Sequence, residues 1–222
     1  MRRRSFDLVS GPVERRIATG LAKIGLALKI HAWREAGARA VTPTQAQILS
    51  LVGNAPGGVT VGEVASRLGV TAPTASDAVE ALVRKQLLRK GRSPRDARVR
   101  SITITPQGRR AARRMGDWTD FLVPGVEALN PDEQAVFLRA LVSMIRILQD
   151  RGEIPVSRMC VTCRFFRPYV HKNPVRPHHC AFVDAPFGDR LLRVDCSDHQ
   201  PADAGTQRRL WEQFRTGRGE VR

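Results

Sequence analysis

Thr60-Val61-Gly62-Glu63-Val64-Ala65-Ser66-Arg67-Leu68-Gly69-Val70, running straight into Thr71-Ala72-Pro73-Thr74-Ala75-Ser76, decides how the chain folds. Thr60 is placed to cap a helix, and Glu63, three positions on, can return the bond with its own side chain. Gly69 supplies the turn that ends this helix. A second helix opens at Thr71 with Pro73 in its first turn, where proline is tolerated. Its apolar stripe, Ala75, Ala78, Val79 and Leu82, turns inward and leaves Thr74, Ser76 and Asp77 nearer the outside. Two short helices joined by a tight glycine turn form a helix-turn-helix.

Downstream, Leu87–Lys90 and Val99–Thr105 read as two strands. The polar, basic loop between them, Gly91 to Arg98, makes them a β-hairpin, or wing. From Arg84 to Arg114 there are twelve Arg and Lys residues against one acid, Asp96. So lopsided a run, falling on a wing, points to contact with phosphates or a minor groove. Asp96 is expected to pair with a neighbouring arginine, because a carboxylate facing phosphates is repelled. Pro106-Gln107-Gly108 starts a further helix, rich in arginine.

Upstream, Val13, Ile17, Leu21, Ile24 and Leu28 recur at three- and four-residue steps, which predicts one long amphipathic helix from Gly11 to about Ala38. Another is expected from Thr42-Pro43-Thr44 to the breakers that begin at Gly53. Asn130-Pro131-Asp132-Glu133 is a strong helix start: asparagine caps, proline takes the first position and Glu133 stands at the box position. That helix runs to about Gln149, with Val136, Phe137, Ala140, Leu141, Met144, Ile145 and Leu148 as its apolar side.

The 222 residues carry a formal net charge of +16 and are 42% hydrophobic, which argues against general disorder. The charge favours a polyanionic partner, and nucleic acid comes before membrane because no amphipathic basic anchor stands out. No apolar run reaches the roughly 18 to 20 residues needed to span a bilayer. Met1-Arg2-Arg3-Arg4-Ser5-Phe6-Asp7 has no apolar stretch behind it and does not read as a signal peptide. A cytoplasmic location is expected, with residues 1–10 as a flexible basic arm.

Order and spacing through residues 11–150 resemble the MarR family of winged helix-turn-helix regulators. The resemblance rests on Thr60-x3-Val64-Ala65-x2-Leu68-Gly69-Val70, Thr71-x-Pro73-Thr74-Ala75-Ser76 and Leu82-Val83-Arg84-Lys85-Gln86-Leu87-Leu88. It continues through Arg95-Asp96-Ala97-Arg98 and Ile104-Thr105-Pro106-Gln107-Gly108. Gln86 departs from it, standing where a glycine is usual, and so does Ile104, where leucine is frequent. The resemblance implies a homodimer built by the first and last helices of the module, each recognition helix and wing meeting one half-site of double-stranded DNA. A helix fits the major groove and its N-terminal residues reach base edges. The expected DNA-contacting residues are Thr71, Pro73, Thr74, Ser76, Arg84, Arg92, Arg95 and Arg98. Thr71 can equally be no more than the helix cap.

Near Arg151–Pro155 the composition shifts to Cys, His, Pro and aromatics. The expected fold is therefore mainly α with a small β-hairpin wing: a winged helix-turn-helix over 11–150 and a loop-rich cysteine module over 151–222. Periodicity returns only at Gln207–Arg215, where Leu210, Trp211 and Phe214 share one face of a docking helix. All four cysteines lie here, as Cys160-x2-Cys163-x16-Cys180-x15-Cys196. In a reducing compartment such a cluster points to metal ligation before disulfides. Zinc ribbons present two CxxC knuckles, whereas here the second half is split. One close pair and two distant singles resemble, in spacing only, the ligands of iron–sulfur proteins such as the family 4 uracil-DNA glycosylases. The spacing thus leans to an iron–sulfur cluster, with Zn(II) as the alternative. His178 and His179 are further candidate ligands, with hydrogen bonding behind the cysteines or plain loop polarity as their other reading.

The leading functional reading is a dimeric DNA-binding transcription regulator, with the cysteines either sensing redox state, iron or metal or acting as a structural staple. The alternatives are a DNA-acting enzyme with a structural cluster and a metal-free thiol switch. The sequence contains no Walker lysine loop, HExxH, nucleophile elbow or paired-carboxylate set that would favour the enzyme.

Overall fold

The computed structural model describes residues 11–39, 41–55, 57–92, 100–115 and 119–217. The chain divides into two units, Met1–Leu122 and Val123–Arg222.

In the first unit, α1 (Val13–Arg39), α2 (Pro43–Gly53), α3 (Val61–Leu68) and α4 (Ala72–Arg84) precede β1 (Leu88–Arg92), β2 (Arg100–Ile104) and α5 (Pro106–Met115). The expected caps are made. Thr42 and Gln45 form a capping box at the start of α2. Thr60 and Glu63 form another at α3, the Glu63 carboxylate accepting from the Thr60 N–H at 2.7 Å. Gly69 closes α3 at φ 64°, the left-handed region that glycine enters without a Cβ clash.

Ile48, Leu49 and Val52 of α2, Val64 of α3, Ala75, Val79 and Leu82 of α4, and Leu88 and Ile102 of the hairpin form one buried core. The hairpin is antiparallel, from Leu88 opposite Ile104 to Arg92 opposite Arg100. Val59 exchanges two backbone hydrogen bonds with Ile102, at 3.0 and 2.7 Å, and so ties the loop before α3 to the hairpin.

Helix α4 ends in a Schellman turn: the Gln86 N–H donates to the Val83 carbonyl and the Leu87 N–H to the Leu82 carbonyl, both at 2.9 Å. Gln86 has φ 58°, and a residue with no Cβ would sit there more easily. The glycine expected at this place thus has a plain physical reason.

In the second unit, α6 (Val123–Glu127) and α7 (Pro131–Asp150) precede three short strands, β3 (Phe166–Arg167), β4 (His178–Cys180) and β5 (Ala185–Phe187), and then α8 (Ala204–Thr216). Asn130 caps α7 as expected, accepting from Asp132 and Glu133 N–H groups at 3.0 Å. The strands form an antiparallel sheet in the order β3-β4-β5. Asp203 caps α8, Gly217 ends it at φ 72°, and Leu210 and Phe214 are buried. The core joins Val142, Met159, Val161, Phe166, Phe187, Leu192 and Phe214, with Leu138 and Ile145 packed against it.

Two expectations change here. The division falls after Leu122, not near Arg151, because α7 packs into the same core as the cysteine segment. The inward face of α7 is Leu138, Val142 and Ile145, while Val136, Phe137 and Met144, assigned to its apolar side, are exposed. The segment after 155 is loop-rich around a small three-stranded sheet. Residues 1–10, expected as a basic arm, lie outside the described residues. No described helix is long and apolar enough to cross a membrane.

Candidate nucleic-acid interface and cysteine pocket

The start of α4 is open to solvent: Thr71, Pro73 and Thr74 are exposed and Ser76 half-buried. Thr71 accepts from the Thr74 N–H at 3.3 Å, and the two threonine hydroxyls lie 2.8 Å apart. Thr71 therefore caps the helix while its side chain stays on the surface. The capped end also carries the positive end of the helix dipole, which attracts phosphate.

Along the hairpin only Leu88 of β1 turns inward; Arg89, Lys90 and Arg92 are exposed, as are Arg84 at the end of α4 and Arg100 on β2. Their charges are not all free. Lys90 pairs with Glu80, whose carboxyl is held below its usual range by that hydrogen bond and by the lysine charge. Arg89 donates to the Thr103 hydroxyl at 3.0 Å. Glu80 was missed because it sits one helical turn before the basic run, so the count of a single acid overstated the imbalance. Arg95, Asp96 and Arg98 lie outside the described residues.

The four cysteines are free thiols, each half-buried. All four line one cavity of about 270 Å³ with Phe165, Phe166, Phe182 and Phe187 in its wall. They come from three places: the turn at 160–163, the end of β4, and the loop before α8. Backbone bonds hold these together. The Cys160 N–H donates to the Arg193 carbonyl at 3.2 Å, the Cys196 N–H to the Arg158 carbonyl at 3.0 Å, and Phe166 of β3 pairs with Cys180.

Arg193 was not singled out from sequence, yet it touches two of the four sulfurs. Its backbone N–H donates to the Cys160 sulfur at 3.3 Å and its guanidinium to the Cys196 sulfur at 3.4 Å. Burial pushes the Cys160 thiol up; the Arg193 N–H pulls it back, while Cys196, Cys180 and Cys163 add to the rise. Among the described residues no group of three or more Cys, His, Asp or Glu is placed to hold a metal ion.

His178 and His179, the further candidate ligands, are not among the residues lining this cavity. His178 is fully buried; its Nδ1 accepts from the Tyr169 N–H at 3.3 Å, and its Nε2 lies 2.8 Å from Asp189. Both ring nitrogens are spent inside the unit. His179 meets His171 at 3.3 Å and Asp184 at 3.2 Å. His199 does line the cavity and shares a hydrogen bond of 2.9 Å with Thr162. Burial first, then the nearby Arg158 charge, pull its ring below the usual range. Behind His178, burial pushes Asp189 up, but the bond from His178 and the Arg139 guanidinium outweigh this and hold its carboxyl low.

Residues 41–99 match the model of the MarR family. Among solved structures, FabT of Streptococcus pneumoniae in complex with DNA is 26% identical, covering 62% of this chain and 98% of that one, with a TM-score of 0.54. The S. aureus MepR–DNA complex is 22% identical over 59% of this chain and 97% of that one, at a TM-score of 0.52. CouR from Rhodococcus jostii RHA1, bound to p-coumaroyl-CoA, is 19% identical over 66% and 98%, also at 0.52. No curated protein matches the chain. Residues 41–99 are thus similar to the MarR family, and the FabT and MepR structures share the fold of this part of the chain.

Proposed function

We propose that the protein is a homodimeric, DNA-binding transcription regulator of the cytoplasm, in which a centre held by the four cysteines biases DNA affinity. The exposed, capped start of α4 beside a hairpin bearing Arg89, Arg92 and Arg100 carries the DNA reading. Thr71, Pro73, Thr74 and Ser76 approach base edges, while Arg84, Arg92, Arg95 and Arg98 meet phosphates or a minor groove. FabT and MepR, which share the fold, have been solved on DNA. The DNA-acting enzyme considered from sequence alone finds no support in these relatives.

Dimerisation is supported by two apolar faces exposed in this chain. Val13 of α1 is 57% exposed, and Ile17, Ile24 and Ile30 lie open on the same helix. Val136 of α7 is 69% exposed, in line with Phe137, Met144 and Ile147. Exposed apolar area on this scale marks an interaction surface. A second copy of the chain, offering the same faces, is the partner that a twofold regulator needs.

Selection of bound sites from a random duplex library tests the DNA reading. The expected product is an inverted repeat with half-sites about 10 base pairs apart, centre to centre. Recovery of the input library without enrichment would contradict it. For the cysteines, DNA affinity is compared between metal-loaded and chelator-treated protein. Equal affinity would leave the pocket a structural staple, and a peroxide response in metal-free protein would make it a thiol switch.

A further inference from the structure

We propose that Cys160, Cys163, Cys180 and Cys196 ligate one iron–sulfur cluster in the aromatic pocket of the C-terminal unit, with Arg193 as the positioning residue for two of its sulfur ligands. The inference rests on reading the four cysteines as one site, and not on the DNA reading.

Geometry separates a cluster from a single ion. Four thiolates on a tetrahedral zinc each stand about 2.3 Å from one point, so their sulfurs lie only about 4 Å apart. Here the four sulfurs border a cavity of about 270 Å³, and among the described residues no three donors are placed for one ion. A multi-iron core with a cysteine at each corner fills such a space, whereas a lone ion would leave most of it empty. The four-sulfur donor set is the one that both common cluster types take.

The walls fit the same occupant. Phe165, Phe166, Phe182, Phe187 and Leu191 make the cavity largely apolar, and apolar surroundings of this kind tune the potential of a cluster. Phe166 and Phe187 also belong to the buried core, so the wall is fixed by the fold itself. Arg193 then supplies what an apolar wall cannot: two N–H groups aimed at sulfur, at 3.3 Å to Cys160 and 3.4 Å to Cys196. Such bonds orient ligand sulfurs and tune the group they hold. Its positive charge also offsets part of the negative charge that four thiolates bring.

The test is metal and sulfide analysis, with an absorption spectrum, of the full chain purified anaerobically from iron-supplemented cells. The expected protein is brown, with a broad visible charge-transfer band and iron and acid-labile sulfide in equal amounts, more than one of each per chain. Cys180→Ser and Cys196→Ser lose the band. Arg193→Ala keeps the iron but sheds it in air about tenfold faster, with a shifted reduction potential, and Arg193→Lys recovers part of the loss. Colourless protein with one zinc per chain would overturn the proposal. So would protein that takes up no iron after anaerobic incubation with ferrous salt and sulfide while its circular dichroism remains that of a folded chain. Unchanged air stability and potential in Arg193→Ala would remove the role of the Arg193 guanidinium, since the backbone bond to Cys160 survives in alanine. None of these readouts depends on DNA, so failure here and failure of the regulator reading are told apart.

Discussion

A Cβ built on Gly108 would come within 2.0 Å of the carbonyl oxygen of Leu87. The first turn of α5 is thus pressed against backbone at the entry to β1, and that contact holds the hairpin against the helical core. Thr105 secures it: its hydroxyl donates to the Gln86 carbonyl at 2.7 Å and accepts from the Gly108 N–H at 2.9 Å. Gly108→Ala should therefore destabilise the chain by about 1–3 kcal/mol, the usual cost of overpacking where backbone cannot give way. A lowered urea midpoint is the readout, and an unchanged one would contradict the close approach.

Gln86 offers the opposite change. It holds a left-handed conformation at φ 58° as the residue that closes α4. Gln86→Gly relieves that strain, although glycine also gains freedom in the unfolded chain. A net stabilisation of about 0.5–1 kcal/mol is expected. Urea unfolding checks it, and a destabilised variant would show that the Gln86 side chain carries contacts outweighing its backbone strain.

Asp189 sets a pH dependence for the second unit. Its folded carboxyl titrates below the usual value because His178 and Arg139 favour the charged form over the opposing effect of burial. A depressed carboxyl stabilises the fold above its unfolded pKa of about 3.9 and loses that contribution as pH falls through its lower folded value. Asp189→Asn should cost about 1.5–3 kcal/mol near neutral pH, the range for hydrogen bonds to charged groups. The gap between variant and parent should close on acidification below about pH 4. A gap that persists unchanged well below pH 4 would sink this assignment.

The exposed apolar faces predict the behaviour of two surface variants. Ile17→Asp on α1 and Val136→Glu on α7 should each shift the chain from dimer to monomer in sedimentation while leaving its circular dichroism unchanged. Both sites are open in the single chain, at 53% and 69% exposure, so neither change disturbs the core described here. Dimers that persist in both variants would place the subunit contact elsewhere.

Much of the first unit is legible because its signals are local. Thr60 with Glu63, and Gly69, mark the ends of α3 through bonds spanning four residues or fewer. The second unit is harder to read, since strands of two or three residues show no periodicity. The role of His178 depends on Asp189 and Tyr169, which approach it only through the fold. Arg193 was invisible for the same reason: one sulfur it touches is 33 residues away in sequence. On α7, apolar residues occupy most of the circumference, so counting them could not tell the inward face of Val142 from the outward face of Val136. Lys90 reads as a free charge until the fold brings Glu80 beside it.

The central claim, that this basic hairpin and the helix beside it grip duplex DNA, is tested most directly by the affinity of the full-length protein for duplex DNA over a series of salt concentrations. Log affinity should fall linearly with log salt, and Arg92→Ala, Arg95→Ala and Arg98→Ala should each weaken binding to all sequences and flatten that slope by about 0.9. Binding that is absent at low salt, or a slope that these substitutions leave untouched, would contradict it.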